Sequence, residues 1–246
     1  MFAVFSDRIQ RAWRSRLETG LERPLHIREE FLSHSPDACR LLYISDVHLR
    51  RRRGGLLADQ VLATVHMSAP HAVLLGGDLL DDADQLPQLS QLVVRLRDHA
   101  PVFAVGGNHD RKVGLAKVQG AVERAGGDWI HDRTVRLEHE SRRIAIAGPE
   151  ATVPGDADIR ILCAHHPRIW HSVRHQGFDL VLAGHLHGCQ FVAFESRDFL
   201  FPGALFYSGC CLRTQCGSAR LVVSRGVSDL IPIRWRCPRE VVLCHV

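Results

Sequence analysis

The chain has 246 residues, 46% hydrophobic and 24% charged, with a formal net charge of +4; values this near the average of soluble globular proteins exclude a disordered polymer and a membrane bundle. No run of about 18 apolar residues occurs, which excludes a spanning helix, and Asp7, Arg8, Arg11, Arg14 and Arg16 interrupt the first turns of the chain, which speaks against an ordinary secretion signal. The eight cysteines form no C-x-x-C pair and are scattered rather than clustered as in a disulfide framework, so a reducing, cytoplasmic setting is expected.

Residues 1–24 read as one amphipathic helix, because Phe5, Ile9, Trp13, Leu17 and Leu21 recur every four residues among arginines and Pro24 ends the pattern. Its basic face allows two readings: peripheral contact with an anionic membrane surface, or packing on the body of its own protein. From residue 40 short apolar runs alternate with polar or helical segments, as in an α/β protein. Five runs share one feature. Arg40–Ser45 precedes Asp46, Ala72–Gly77 precedes Asp78, Val102–Gly107 precedes Asn108, Ile159–Ala164 precedes His165 and Leu180–Gly184 precedes His185. Each sets a chelating side chain directly after a buried strand, and ligands of open α/β sheets collect outside the carboxyl ends of the strands. The stretches Gln190–Phe194, Arg220–Ser224 and Glu240–Val246 are β-rich without a long helical pattern and predict a second sheet packed on the first.

In order, the chelating segments are Asp46-Val47-His48, Gly77-Asp78-Leu79-Leu80-Asp81, Gly107-Asn108-His109-Asp110, His165-His166-Pro167 and Gly184-His185-Leu186-His187. Carboxylate, imidazole and amide oxygen suit a hard or borderline divalent ion, and no thiolate stands among them. Asp46 and His48, two apart on a turn, can reach one ion, while the two oxygens of Asp78 can join two ions about 3.5 to 4 Å apart. These segments resemble, block by block and in order, the calcineurin-like metallophosphoesterase family, whose pattern is D-x-H, G-D-x-x-D, G-N-H-[DE], H and G-H-x-H. The resemblance runs from about residue 40 to the C-terminus.

It implies a four-layer α/β sandwich of two packed mixed β-sheets flanked by helices, with a catalytic domain over 38–246 and the helix and linker in 1–37. It also implies two divalent metal ions, manganese by default with iron or zinc as alternatives. Asp46, His48, Asp78 and His187 would hold the first, and Asp78, Asn108, His165 and His185 the second. Two such ions bring the pKa of a bridging water from about 15.7 to near neutrality, so a bridging hydroxide would attack phosphorus without a protein nucleophile. His109 falls at the family's general-acid position and Asp81 at that of the carboxylate holding its ring; the plainer readings are a structural His109 and a capping Asp81. Of the histidines outside the blocks, His166 alone adjoins a ligand. Arg50, Arg51, Arg52 and Arg53 form either a clamp for an anionic part of the substrate or a solvated basic loop.

Gly188-Cys189-Gln190, Val223-Ser224-Arg225-Gly226 and Pro238-Arg239-Glu240 look like the G-G-Q, V-S-R-G and P-x-E elements of a bacterial phosphodiesterase branch, in which membrane association is common. Cys189 departs from the branch by placing a side chain where it has glycine. The resemblance therefore implies hydrolysis of a phosphodiester or pyrophosphate bond in a lipid-linked or nucleotide-diphosphate substrate at the inner face of the membrane. The alternatives are a phosphoprotein or phosphomonoester phosphatase, and a metal-free scaffold, against which every ligand position is intact. No nucleic-acid partner is expected, because no aromatic-studded basic tract occurs.

Overall fold

Strands that are apolar at every position can be buried on both faces, and the runs named above are buried in this way. In the computed structural model, which describes residues 17–21, 23–153 and 155–246, they fall into two six-stranded sheets. The first has the order His26–Phe31, Glu240–His245, Arg40–Ile44, Ala72–Gly76, Val102–Val105, Asp128–Trp129 and is parallel except where Glu240–His245 meets Arg40–Ile44. The second has the order Arg213–Cys216, Ala219–Val223, Leu180–Ala183, Ile159–Cys163, Arg142–Ala147, Thr134–His139, parallel in the middle and antiparallel at both edges.

The two-residue period of a strand sorts its side chains into layers. Leu41 and Tyr43 share a buried cluster with Ile146, Ile161, Cys163 and Leu182 of the opposite sheet. Leu42 and Ile44 instead join the helices Gly54–Ser68, Leu86–Arg97 and Leu115–Arg124 through Leu57, Val61, Leu92, Leu96 and Val122. A fully buried side chain of this kind contributes about 1.5–3 kcal/mol, so these two layers carry most of the stability. The hydroxyl of Tyr43 donates to the carbonyl of Ala164 at 2.7 Å and pins one sheet to the other. Beyond the second sheet, the short helix Trp170–Val173 packs Trp170 and Val173 against Leu162, Val181 and Leu221. The protein is thus the expected α/β sandwich of helix, sheet, sheet and helix.

Three details differ from the sequence reading. The C-terminal stretches do not make the second sheet by themselves: that sheet is built on residues 134–183 and takes from them only Ala219–Val223, which Arg213–Cys216 joins at the edge, while Val192–Ser196 pairs with Phe199–Pro202 in a two-stranded sheet of its own. Glu240–His245 enters the first sheet instead, because Val241 and Leu243 need a cover on the helical side and Val242 and Cys244 on the other, which only an interior strand receives. The helix expected over 1–24 is also corrected where the chain is described. Leu17–Thr19 is a strand antiparallel to Ile233–Trp235, with Leu17 exposed and Leu21 buried beside Leu25 and Leu57; tertiary contacts override the four-residue spacing. Residues 1–16, including Phe5, Ile9 and Trp13, lie outside the described residues. The stretch read as linker contributes His26–Phe31 to the first sheet. Among the described residues no helix is long and apolar enough to cross a membrane.

Candidate metal centre

The turns after the five parallel strands meet at one place, and their backbone is unusual. Asp46, His48, Asp78, His185 and His187 all have positive φ, between 44° and 74°, a region that costs an L-residue about 1–2 kcal/mol. Strain gathered at one location points to a function. Two glycines make the approach possible: a Cβ on Gly107 would lie 2.2 Å from Oδ1 of Asp78, and one on Gly184 would lie 2.4 Å from Oδ2 of Asp46.

All seven residues expected as ligands are brought together. Asp46, fully buried, accepts the backbone N–H of His185 at 3.0 and 3.1 Å, and its Oδ1 lies 3.6 Å from Nε2 of His187. Oδ1 of Asp78 accepts the N–H of His109 at 2.8 Å, while Oδ2 faces Nε2 of His165 at 3.2 Å and Nε2 of His48 at 3.8 Å. Nε2 of His165 in turn lies 3.1 Å from Oδ1 of Asn108 and 3.2 Å from Nδ1 of His185. Ligand atoms of Asp46, His48 and His187 fall within 4.8 Å of one another, as do those of Asp78, His165 and His185, and Asp78 also groups with His48 and His109. Asp78 therefore stands between two sets of donors.

The imidazoles are held from behind. Nδ1 of His48 bonds Asp81 at 2.6 Å, Nδ1 of His165 the carbonyl of Gly76 at 3.0 Å, and Nδ1 of His187 the carbonyl of Ser228 at 2.9 Å. Each acceptor keeps a proton on Nδ1 and turns the Nε2 lone pair inward, which is how metal-ligating histidines are oriented. Nε2 of His48 is buried with no hydrogen-bond partner among the described residues, a costly orphan that a cation satisfies. Oxygen and imidazole donors of this kind fit a pair of divalent cations.

Protonation agrees with that fit. Burial opposes ionisation of Asp46, yet the imidazoles of His187, His165 and His48 hold its carboxyl below the usual range. Asp78 is also opposed by burial, but its contacts with His165 bring it down to about 2. Burial pushes His187 down to about 4, leaving a neutral ring. His165 is disfavoured as a cation by burial and nonetheless pushed up to about 9 by its hydrogen bond to Asp78; the negative field that draws a proton there draws a metal cation equally.

Asp81 does more than expected. Its Oδ1 lies 2.8 Å from Nδ1 of His109 as well as 2.6 Å from Nδ1 of His48, and its Oδ2 accepts from Nε of Arg50. Against the effect of burial, the hydrogen bonds from His48 and Arg50 hold this carboxyl far below the usual range. The His109 ring stands edge-on to His48, 4.7 Å between centroids, and its side chain stays 26% exposed. The four arginines separate into two kinds: Arg50 is bound to Asp81 and to the carbonyl of Asp229, whereas Arg51, Arg52 and Arg53 are exposed and line a cavity of about 420 Å³ with Leu21, Leu57 and Pro232. The His166 ring lies tilted against that of His185, 4.1 Å between centroids.

A further cluster, Cys39, His71 and His139, differs in kind. The N–H of Arg40 donates to Nδ1 of His71, which places the His71 proton on Nε2, so neither nitrogen of His71 offers a free lone pair to an ion.

Residues 39–189 match the sequence model of the calcineurin-like phosphoesterase family, a span that contains every ligand candidate. The chain belongs to this family. The phosphoesterase is accordingly a metal-dependent hydrolase of phosphoric esters. It is 25% identical over 257 residues to Phosphodiesterase YaeI of Escherichia coli (strain K12), covering 93% of this chain and 90% of that one. Over 164 residues it is 29% identical to the uncharacterized protein YpbG of Bacillus subtilis (strain 168), 61% of each chain. The solved structure of Phosphopantetheinyl Hydrolase (PptH) from Mycobacterium tuberculosis aligns with a TM-score of 0.49 at 12% identity, covering 80% of this chain and 92% of that one.

Several motif residues show in the structure what they do for the phosphoesterase site, which their spelling does not tell. Asp110, fully buried and pushed up to about 6 by that burial, accepts the N–H groups of Gly107 at 2.8 Å, Leu79 at 2.9 Å and Leu80 at 3.3 Å, tying the Asp78 turn to the Asn108 turn. Its place in the G-N-H-D block was the available signal. Gln190 brackets the His185–His187 turn by donating to the carbonyls of Ile231 and Ile233 at 2.7 and 2.8 Å. The Val223–Gly226 and Pro238–Glu240 elements prove to be one device, since Arg225 and Arg28 both pair with the buried carboxylate of Glu240. The Gly76 and Ser228 carbonyls leave no trace in a sequence at all.

Proposed function

We propose that the phosphoesterase hydrolyses a phosphodiester or pyrophosphate bond, with two divalent cations held by Asp46, His48, Asp78 and His187 on one side and by Asp78, Asn108, His165 and His185 on the other. The position of Asp78, one carboxylate between two sets of inward-facing donors, carries this reading. Bound there, divalent cations, manganese by default with iron or zinc as alternatives, would supply Lewis acidity toward the phosphoryl oxygens and bring a water near the pKa of a usable nucleophile.

The chain's own residues do the rest. With Nδ1 of His109 against Asp81, Nε2 is the atom that gives the leaving oxygen its proton, and the Asp81 carboxylate fixes the orientation of the ring. Arg50 holds Asp81 in place. Arg51, Arg52 and Arg53 ring a cavity with an apolar floor of Leu21, Leu57 and Pro232 beside His48 and Asp81. Such a cavity suits a substrate that joins an anionic group to an apolar portion, as a lipid-linked diphosphate does. Similarity over nine-tenths of a relative named a phosphodiesterase favours the diester over the monoester.

The test is turnover of bis-p-nitrophenyl phosphate against p-nitrophenyl phosphate by manganese-loaded protein. Faster hydrolysis of the diester, lost in Asp78→Ala, is expected. Preference for the monoester would overturn the substrate reading, and undiminished turnover in Asp78→Ala would overturn the metal centre.

A further inference from the structure

Cys189 ends the turn that carries His187, on left-handed backbone and half-buried, while the buried Cys210 closes the loop that follows the strand Phe199–Pro202. Their sulfur atoms lie 2.9 Å apart across a separation of 21 residues. Small side-chain rotations close that gap to the roughly 2.05 Å of a disulfide. Gly203 makes the meeting possible: a Cβ there would lie 2.4 Å from Sγ of Cys189 and 2.5 Å from Sγ of Cys210. The loop from Gly203 to Cys210 displays Leu205, Phe206 and Tyr207 to solvent, 71%, 77% and 51% exposed. At its far end Gly209 is packed so closely that a Cβ would lie 2.7 Å from Pro167 and 3.4 Å from Leu186. The loop therefore rests on the turns that follow both His165 and His185, and the proposed hydrolysis uses neither thiol.

We propose that Cys189 and Cys210 are an oxidative modification site, a reversible disulfide that staples the ligand turn His185–Gln190 to the exposed loop 203–210. The oxidant is a peroxide. The sulfur of Cys189, the more accessible of the two, attacks one peroxide oxygen; the O–O bond breaks, one oxygen leaves as water and Cys189 becomes a sulfenic acid. The sulfur of Cys210 then displaces the hydroxyl, which leaves as a second water, and the S–S bond forms. Two thiols together lose two electrons and two protons, and one peroxide is reduced to two waters. A thiol reductant reverses the link by exchange. Gln190 already fastens the turn to Ile231 and Ile233 on its other side, so the staple anchors it from both directions and takes from the loop its freedom to lift.

Reduced full-length protein is treated with hydrogen peroxide, its free thiols are counted after denaturation, and unreduced digests are mapped by mass spectrometry. The count should fall from eight to six, with a cross-linked peptide pair containing positions 189 and 210, and return to eight with dithiothreitol. Chymotrypsin cleavage of the native protein after Phe206 and Tyr207 should slow about tenfold on oxidation, because a stapled loop opens less often. Cys189→Ser should keep all seven remaining thiols through the treatment, whereas Cys210→Ala, chosen to avoid burying a hydroxyl, should stop at a sulfenic acid on Cys189 that dithiothreitol reverses, and both should form no cross-link and keep the reduced protein's cleavage rate. A count that stays at eight, a link from Cys189 to Cys237 or from Cys210 to Cys211, a sulfinic acid at Cys189 without a cross-link, or an unchanged cleavage rate overturns the proposal.

Discussion

Asp78 turns Oδ2 toward His165 on one side and His48 on the other, and among the described residues Asp110 and Asp81 are not free to replace it. Asp110 is committed to three backbone N–H groups and Asp81 to His48, His109 and Arg50. Asp78→Asn should therefore lower kcat/KM on the order of 10³-fold or more and strip bound metal, with the far-ultraviolet circular dichroism unchanged. His109 and Asp81 should part company when metal content and rate are measured together. His109→Gln loses a proton donor and should lower kcat about 10²–10⁴-fold with metal content intact. Asp81→Asn should lower the rate and also weaken metal affinity about 10–100-fold, because Asp81 orients the His48 ring. Equal metal content in the two variants would show that His48 does not depend on Asp81. At this scale the candidate ligands were legible because a chelating side chain declares its chemistry by its identity. The carbonyls of Gly76 and Ser228 behind the rings were not, since every residue possesses one.

Among the elements, the strand Glu240–His245 has the heaviest duty, pairing with His26–Phe31 on one side and Arg40–Ile44 on the other while its first carboxylate anchors Arg225 and Arg28. Glu240→Gln leaves the buried guanidinium of Arg225 without its paired carboxylate, while Arg28 keeps Glu30, and should destabilise the fold by about 3–5 kcal/mol in urea titrations. The pH dependence follows from the same site. Burial opposes the charge on Glu240, but Arg225, Arg28 and His26 hold its carboxyl well below the ordinary 4.5. The folded state thus binds this proton less readily than the unfolded one. The contribution is complete above about pH 4.5 and is lost as the pH falls below that value toward the folded pKa. Urea midpoints should drop steeply below pH 4.5 in the wild type and more gently in Glu240→Gln. The runs themselves could be read from the sequence, since a strand covered on both faces is apolar throughout, but an apolar run records burial and not its neighbour. That is why Glu240–His245 was placed with the wrong sheet, and why Leu17–Thr19, a three-residue strand fixed by Ile233–Trp235, looked helical.

For the molecule as a whole, the two sheets hold five strained residues on three turns at one end, and ligand binding to the folded state alone adds to stability. Removing metal with a chelator should abolish turnover and lower Tm by about 5–10 °C, both restored by manganese; occupancy at a hundredfold over Kd contributes about 2.7 kcal/mol, and a chain of this size shifts about 2–4 °C per kcal/mol. A chelated protein with unchanged Tm and turnover would remove the metal centre. The four layers were legible through the resemblance of the ligand blocks, whereas the way distant strands close each sheet was not, because it depends on pairings between segments far apart in the chain. That closure has a practical consequence. The span that matches the family, residues 39–189, contains every proposed ligand but neither His26–Phe31 nor Glu240–His245, and it lacks Ala219–Val223 and Ser228. Excised by itself, it would bare the Arg40–Ile44 edge of one sheet and the Leu180–Ala183 edge of the other, inviting edge-to-edge self-association. The part that bears the chemistry is not autonomous: it borrows its rigidity from segments that contain none.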